Sequence, residues 1–386
     1  MKVREICHSI TDGSHNPPQG VEESKYLMLS SKNIFDDEIT VDDPRFLTEE
    51  AFQQEDKRTM IVPGDVLLTI VGTVGRTAVV SDDMPRFTLQ RSVAVLHPRR
   101  EICTSRYLMY ALQSRRAHIE KTARGVAQKG IYLGEVGDID LPIPVLEQQG
   151  SIVGILDKVG RLVQTRQRQL RALDTLIKAR FVEMFGDPLS GTDKWPIHTV
   201  GDVAESIDPQ PSHRTPPVDE AGIPYVSIKD CDYKTGVIDF ENARKVGRNV
   251  LEEHLQRYEV HDGDFIIGKI GTIGNPIFVP ARKDYTLSAN IVLIQPDKKK
   301  VSPYFLKYSF MSAYMDRQFE EAKNSTSQAA FGIQKVRAIK VMNPSIDIQY
   351  QFEAFAKQVD KSKVVVQKAL DEAQLLFDSL MQKYFG

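Results

Sequence analysis

The sequence predicts an α+β protein. It is a tandem duplication of a mixed α/β globule followed by a long helix, with the two helices forming an antiparallel intramolecular coiled coil. Three observations predict this. Short motifs recur in the same order at offsets of 198–200 residues. The first part of each copy is rich in strand and turn signals. The last part carries a heptad of apolar residues sustained over about five repeats.

The repeat is read directly from the chain. Gly263-Asp264 and Gly271-Thr272-Ile273-Gly274 fall on Gly64-Asp65 and Gly72-Thr73-Val74-Gly75. Thr286-Leu287 falls on Thr88-Leu89, Pro296 on Pro98, and Phe305-Leu306 on Tyr107-Leu108. Gln328, Ile339, Pro344 and Phe385-Gly386 fall on Gln128, Ile139, Pro144 and Phe185-Gly186. One GTxG is a weak signal; this ordered series marks a duplication.

Within each copy the elements follow in order. Val66–Val71 and Phe265–Ile270 are short apolar, β-branched runs that end at Gly-rich turns, whose glycines serve positive φ. Ser92–Leu96 and Asn290–Ile294 are the next strands, each closed by a proline. Helical stretches follow at Ser105–Thr122 and Pro303–Lys323. Proline-bounded segments (Pro142–Gln149, Asn343–Gln349) lead into the long helices. Gly186-Asp187-Pro188 ends the first of these, and residues 189–194 link to the second globule. The expected organisation is a globule over 1–144, a helix over 145–186, a globule over 187–343 and a helix over 344–386.

The helical seam is expected to use Val159, Val163, Leu170, Leu173 and Ile177 of the first helix. Val359, Val366, Leu370, Phe377 and Leu380 are their counterparts in the second. Arg166 and Arg180 are the polar places, expected to face Val366 and Leu380. So narrow a stripe needs a helical partner, and the other copy supplies one.

Composition bounds the function. Apolar residues make up 41% and charged residues 26%, as in ordinary globular proteins. Three widely separated cysteines (Cys7, Cys103, Cys231) and no apolar membrane-length stretch point to a soluble, cytoplasmic protein. The eight histidines lack metal-ligand spacing, so no metal site is expected. Asn16-Pro17-Pro18-Gln19 lacks the aromatic that adenine methyltransferases stack on a flipped base. Gly186–Thr192 lacks the lysine of a phosphate loop. Asp232-Tyr233-Lys234 reads more simply as part of a turn than as half of a nuclease site. No catalytic constellation stands out, and the chain is expected not to be an enzyme.

The formal charge of −2 hides segregation. Residues 84–134 hold ten basic and two acidic residues, net +8; residues 35–57 hold two basic and nine acidic, net −7. A basic face suits phosphate contact; the alternative is a solvated face balanced by the acidic segment. The Gly-rich loop Arg124–Gly130 and its counterpart Lys323–Gln328 combine Arg, Lys, Asn, Ser and Gln, side chains suited to phosphates and base edges. Candidate DNA contacts are Arg76, Arg91, Arg124, Gln128 and Lys129 in the first copy. In the second they are Lys229, Lys269, Asn275, Asn324, Ser327 and Gln328.

Over essentially its whole length the chain resembles the specificity subunits of type I restriction–modification systems. The resemblance rests on Asp12-Gly13-Ser14-His15…Pro17, the two GD…GTxG blocks, the Gln128 and Gln328 loops and the lead-ins Ile143–Gln149 and Pro344–Gln349. The second copy has no obvious DGSH block, which leaves its N-terminal boundary open. The resemblance implies that each globule is a target recognition domain reading one half of a bipartite, asymmetric site in double-stranded DNA. It implies that the helices are spacers that also dock two methyltransferase subunits, which recruit motor-endonuclease subunits. S-adenosylmethionine, ATP and Mg²⁺ then belong to those partners. A helix of ~35 residues spans ~50 Å, about 15 base pairs. Two other classes stay open: a coiled-coil scaffold without a DNA role, and a subunit with its own methylation or cleavage activity.

Overall fold

The computed structural model describes residues 1–125, 129–186, 194–212, 214–233, 235–269, 274–324 and 332–386. The chain divides into two compact units: residues 1–167 with 368–386, and residues 168–367.

The first unit is built on a four-stranded sheet. Its strands are β1 (Cys7–Asp12), β2 (Val66–Thr69), β3 (Thr77–Val79) and β4 (Val93–Pro98), in the order β1-β4-β2-β3. All neighbours are antiparallel. β2 is buried along its whole length and β4 at all but one position, because both faces of the sheet are covered. On one face lie the helix Ser105–Ser114 and Val3, Ile6, Leu108 and Leu112. On the other lie Leu27, Leu29, Phe87 and Leu89 of a small mixed sheet.

The second unit repeats this plan with different side chains. β5 (Ala204–Ile207), β6 (Phe265–Gly268), β7 (Gly274–Phe278) and β8 (Ile291–Pro296) form an antiparallel sheet in the order β5-β8-β6-β7. Each unit also has a three-stranded mixed sheet and a two-stranded hairpin in matching places. β5 sits where β1 sits, so the strand that leads to the DGSH block has a counterpart that the sequence did not reveal. The expected helix over Ser105–Thr122 is two helices, broken at Arg115 (φ −94°, ψ 6°). Pro303–Lys323 is likewise broken, into Pro303–Ser309 and Ala313–Asn324.

Two 40-residue helices, α1 (Leu146–Phe185) and α2 (Ile346–Phe385), follow the globules. α1 stops at Gly186, whose φ of +82° is the left-handed cap a glycine supplies. Within the second unit, Lys363 Nζ lies 2.6 Å from Asp174 Oδ1, Arg180 stands over the Phe355 ring, and Phe181 meets Phe352 edge-on. Numbers that rise on one helix fall on the other, so the pair is antiparallel. The expectation that Arg180 faces Leu380 is corrected by this direction: Arg180 lies over Phe355, and Leu380 packs on the core of the first unit.

Val159, Ile177 and Val359 are buried; Val163, Leu170, Leu173, Val366, Leu370, Phe377 and Leu380 are half-buried. Each unit closes its core with the far helix: Phe385 packs on Tyr107 in the first, and Phe181 and Phe185 pack on Phe305 and Phe352 in the second. No helix among the described residues is long and apolar enough to cross a membrane.

Candidate nucleic-acid interface

The two Gly-rich segments singled out in the first copy are neighbours in space. Arg124 and Gly130 exchange both backbone hydrogen bonds, at 2.8 and 2.9 Å, which closes the loop between them. Gly72 N donates to Lys129 O at 3.0 Å, and Ile131 N to Ile70 O at 2.9 Å. The ends of the loop are thereby held beside the Gly72–Gly75 turn, where Gly72 (φ +81°) and Gly75 (φ +93°) take the left-handed conformation. Arg91 joins the same rim, since its amide donates to Ser14 O and the Ser92 carbonyl accepts from Ile70 and Val71. Gly13 is needed there: a Cβ would sit 2.1 Å from Leu89 O.

The side chains on this rim differ in freedom. Arg91 and Lys129 are exposed, and no protein partner engages either side chain among the described residues. Arg124 is 77% exposed, with Glu135 3.4 Å away. Arg76 is half-buried, stacked 5.1 Å from the Phe35 centroid. Gln128 lies outside the described residues.

Part of the basic block is neutralised. Arg86 pairs with Asp56, Arg106 with Asp37, and Arg116 with Asp36, all acids of the 35–57 segment. The two charged blocks therefore meet, and Arg91, Arg99, Arg100, Arg115, Lys121 and Lys129 have no carboxylate partner among the described residues. The sequence missed Arg58 and His15, which converge on Asp12 at the edge of this rim, at 2.7 Å each. The Asp-x-x-His spacing of the DGSH block was the available signal.

In the second unit Lys229 is exposed and Asn275 is exposed with φ +48°. Lys269 is 4% exposed, with its ammonium 2.6 Å from Asp208. It follows β6 directly and its side chain turns into the protein, so it presents no charge to a surface as placed. The Asn324 side chain, Ser327, Gln328, the linker over 187–193 and the turn over 270–273 lie outside the described residues.

In the second unit, His254 is buried between Thr286 Oγ1 and Gln210 Oε1, both at 2.6 Å. Burial lowers its pKa, which keeps it neutral. Among the described residues, no group of three or more His, Cys, Asp or Glu is placed to hold a metal ion. The three thiols are buried, and burial pushes Cys7 and Cys103 up to about 12 and Cys231 up to about 11, unsuited to nucleophilic chemistry.

Comparison with known proteins accounts for this duplicated arrangement. The family model for the type I restriction modification DNA specificity domain matches residues 22–173 and again 193–373. The type I restriction enzyme EcoBI specificity subunit of Escherichia coli is 24% identical over 169 residues, 43% of this chain and 34% of that protein. The match thus spans about a third of that relative's length. The type I restriction enzyme MjaVIII specificity subunit of Methanocaldococcus jannaschii is 20% identical over 304 residues, 74% of this chain and 70% of that one. In fold, the chain is similar to the S subunit of a type I restriction-modification system from M. genitalium. The TM-score is 0.58 at 13% identity, covering 100% of this chain and 95% of that one. Two matches to one family model, over most of the sequence, establish that the chain belongs to the type I restriction modification DNA specificity family and carries its domain twice.

Proposed function

We propose that the chain is the DNA-specificity subunit of a type I restriction–modification complex in the cytoplasm. Residues 1–144 and 187–343 are the two target recognition domains, and each reads one half of a bipartite, asymmetric duplex site. α1 and α2 set the distance between half-sites and dock two methyltransferase subunits, which in turn recruit motor-endonuclease subunits. The chain contributes recognition and no catalysis; S-adenosylmethionine, ATP and Mg²⁺ serve the partners.

One observation carries this reading. A Gly-rich rim with exposed Arg91, Arg124 and Lys129 stands on the first globule, and the plan of a globule followed by a long helix is written twice with different side chains. Two diverged readers suit two different half-sites. Lysine and arginine on the rim supply phosphate contacts, and loop side chains such as Gln128 and Gln328 supply base contacts.

The test is co-expression with the methyltransferase subunit in a host lacking other adenine methylation, followed by sequencing of modified bases. The expected result is one two-part, asymmetric motif with a fixed gap. No modified motif, together with no duplex binding by the assembled complex, overturns the proposal. Modification by the chain alone shows instead that it has its own methylation activity.

A further inference from the structure

Outside the rim, one cluster joins three elements of the first unit. Arg106, in the first turn of the helix Ser105–Ser114, is bound by carboxylates from two sides. Asp37, at the tip of the hairpin Ile34–Ile39, takes both ends of the guanidinium, with Nη2 to Oδ2 at 2.9 Å. Asp157, on α1, takes Nη2 as well. Tyr110 Oη donates to the same Asp157 oxygen at 2.7 Å and accepts from Arg106 at 3.1 Å. All three charged side chains are between 22% and 32% exposed. A planar guanidinium can satisfy two carboxylates at once in fixed directions, which a lysine ammonium cannot.

We propose that Arg106 is a positioning residue: it fixes the direction in which α1 leaves the first globule, and so the gap between half-sites that the complex accepts. This rests on the function proposed above. A globule of about 145 residues is roughly 40 Å across, so a turn of about 5° on the helix moves its rim by ~3 Å, roughly the rise of one base pair. A joint that holds a few degrees therefore discriminates one base pair of gap. Apolar packing around Leu156 also holds the helix on the globule, but burial of apolar surface is non-directional. The Arg106 fork is directional. The second copy has Tyr304 at the place of Arg106, facing the Lys357 ammonium at 5.3 Å, so the ionic joint belongs to the first copy.

The experiment uses the full chain assembled with its methyltransferase partners. The probes are three duplexes carrying the mapped half-sites with the native gap, one base pair fewer and one more. The variants are Arg106→Lys, which keeps the charge, and Asp157→Asn, which keeps an acceptor for Tyr110. The expected result is that each variant loses at least fivefold of the wild-type preference for the native gap. A merely structural role lowers affinity for all three duplexes alike. An unchanged gap ratio, with or without such a uniform loss, overturns the joint while leaving the proposed function standing. A wild-type complex that binds none of the duplexes overturns the function itself, and the joint with it.

Discussion

The side-chain oxygen of Gln149 accepts a hydrogen bond from the backbone amide of Thr104 at 2.9 Å. Gln149 Nε2 donates to the carbonyls of Ile102 and Pro144, both at 2.8 Å. The second copy does the same: Gln349 accepts from Ser302 N at 2.8 Å and donates to Pro344 O and Asn343 Oδ1. Both glutamines are fully buried. Each ties the first turn of a long helix to the N-cap of the globule's own helix, which explains why a glutamine stands in both lead-ins.

Replacing Gln149 with Leu removes this partner from the partly buried Thr104 amide and the partly buried Ile102 and Pro144 carbonyls. Each orphaned group costs about 1–3 kcal/mol. We expect Gln149→Leu to lower stability by about 3 kcal/mol, and Gln349→Leu by a similar amount, in denaturant titration of the full chain. A loss under about 1 kcal/mol for both would show that water or slippage of the lead-in takes over the bonds.

The duplication, the helices and their seam were legible because each leaves a periodic or repeated mark in the chain. Leu156, Val163 and Ile177 announce a helix by spacing alone. Charge pairing was not legible, since it depends on which loops meet. Arg106 and Arg116 count only as two of the ten basic side chains of residues 84–134, and it is the hairpin between Ile34 and Ile39 that brings Asp37 and Asp36 onto them. The strand β5 was missed for a similar reason: Asp208 and Gln210 replace the DGSH block and keep the place without its letters. Lys269 looked like Arg76 in sequence, next to a GTxG turn, but only burial on Asp208 separates their roles.

Lys129 and Lys269 should therefore respond to alanine in opposite ways. Lys129 is exposed and, among the described residues, engaged by no protein partner. Lys129→Ala should leave thermal stability within about 0.5 kcal/mol. It should weaken binding of the assembled complex to all duplexes and reduce the salt slope by about one. Lys269→Ala strands Asp208, itself largely buried, and should cost about 3 kcal/mol of stability with the salt slope unchanged. Equal salt slopes for wild type and Lys129→Ala would remove Lys129 from the interface.

His97 gives the first unit a histidine-linked pH dependence at a place where the second has Gln295. Asp65 Oδ1 lies 2.9 Å from His97 Nδ1, and that hydrogen bond raises the His97 pKa above its ordinary value of 6.5. In the second copy Gln295 occupies the matching position and donates to Asp264 at 2.5 Å. A raised folded-state pKa means the contribution is fully present below the unfolded value, about 6.5, and is lost as pH rises through the folded value. We expect His97→Gln to be less stable than wild type at pH 5.5 and to close that gap by pH 8.5. A difference that stays constant across this range would mean the charge on His97 contributes nothing.

The two terminal phenylalanines of the helices should report on separate units. Phe385 is 1% exposed and sits 5.3 Å from Tyr107, in the core that holds Leu108 and Leu112. Phe185 is fully buried against Phe305, with centroids 4.7 Å apart, in the core that holds Val292 and Ile294. They are the same residue of the repeat, so deleting either ring should cost about 3–5 kcal/mol. The loss should stay local, because the two rings belong to different cores. Phe385→Ala should speed amide hydrogen exchange in the helix Ser105–Ser114 and leave Pro303–Ser309 protected; Phe185→Ala should do the reverse. Equal deprotection of both helices by either variant would mean that the chain unfolds as one cooperative unit, and that the duplicated cores depend on each other for stability.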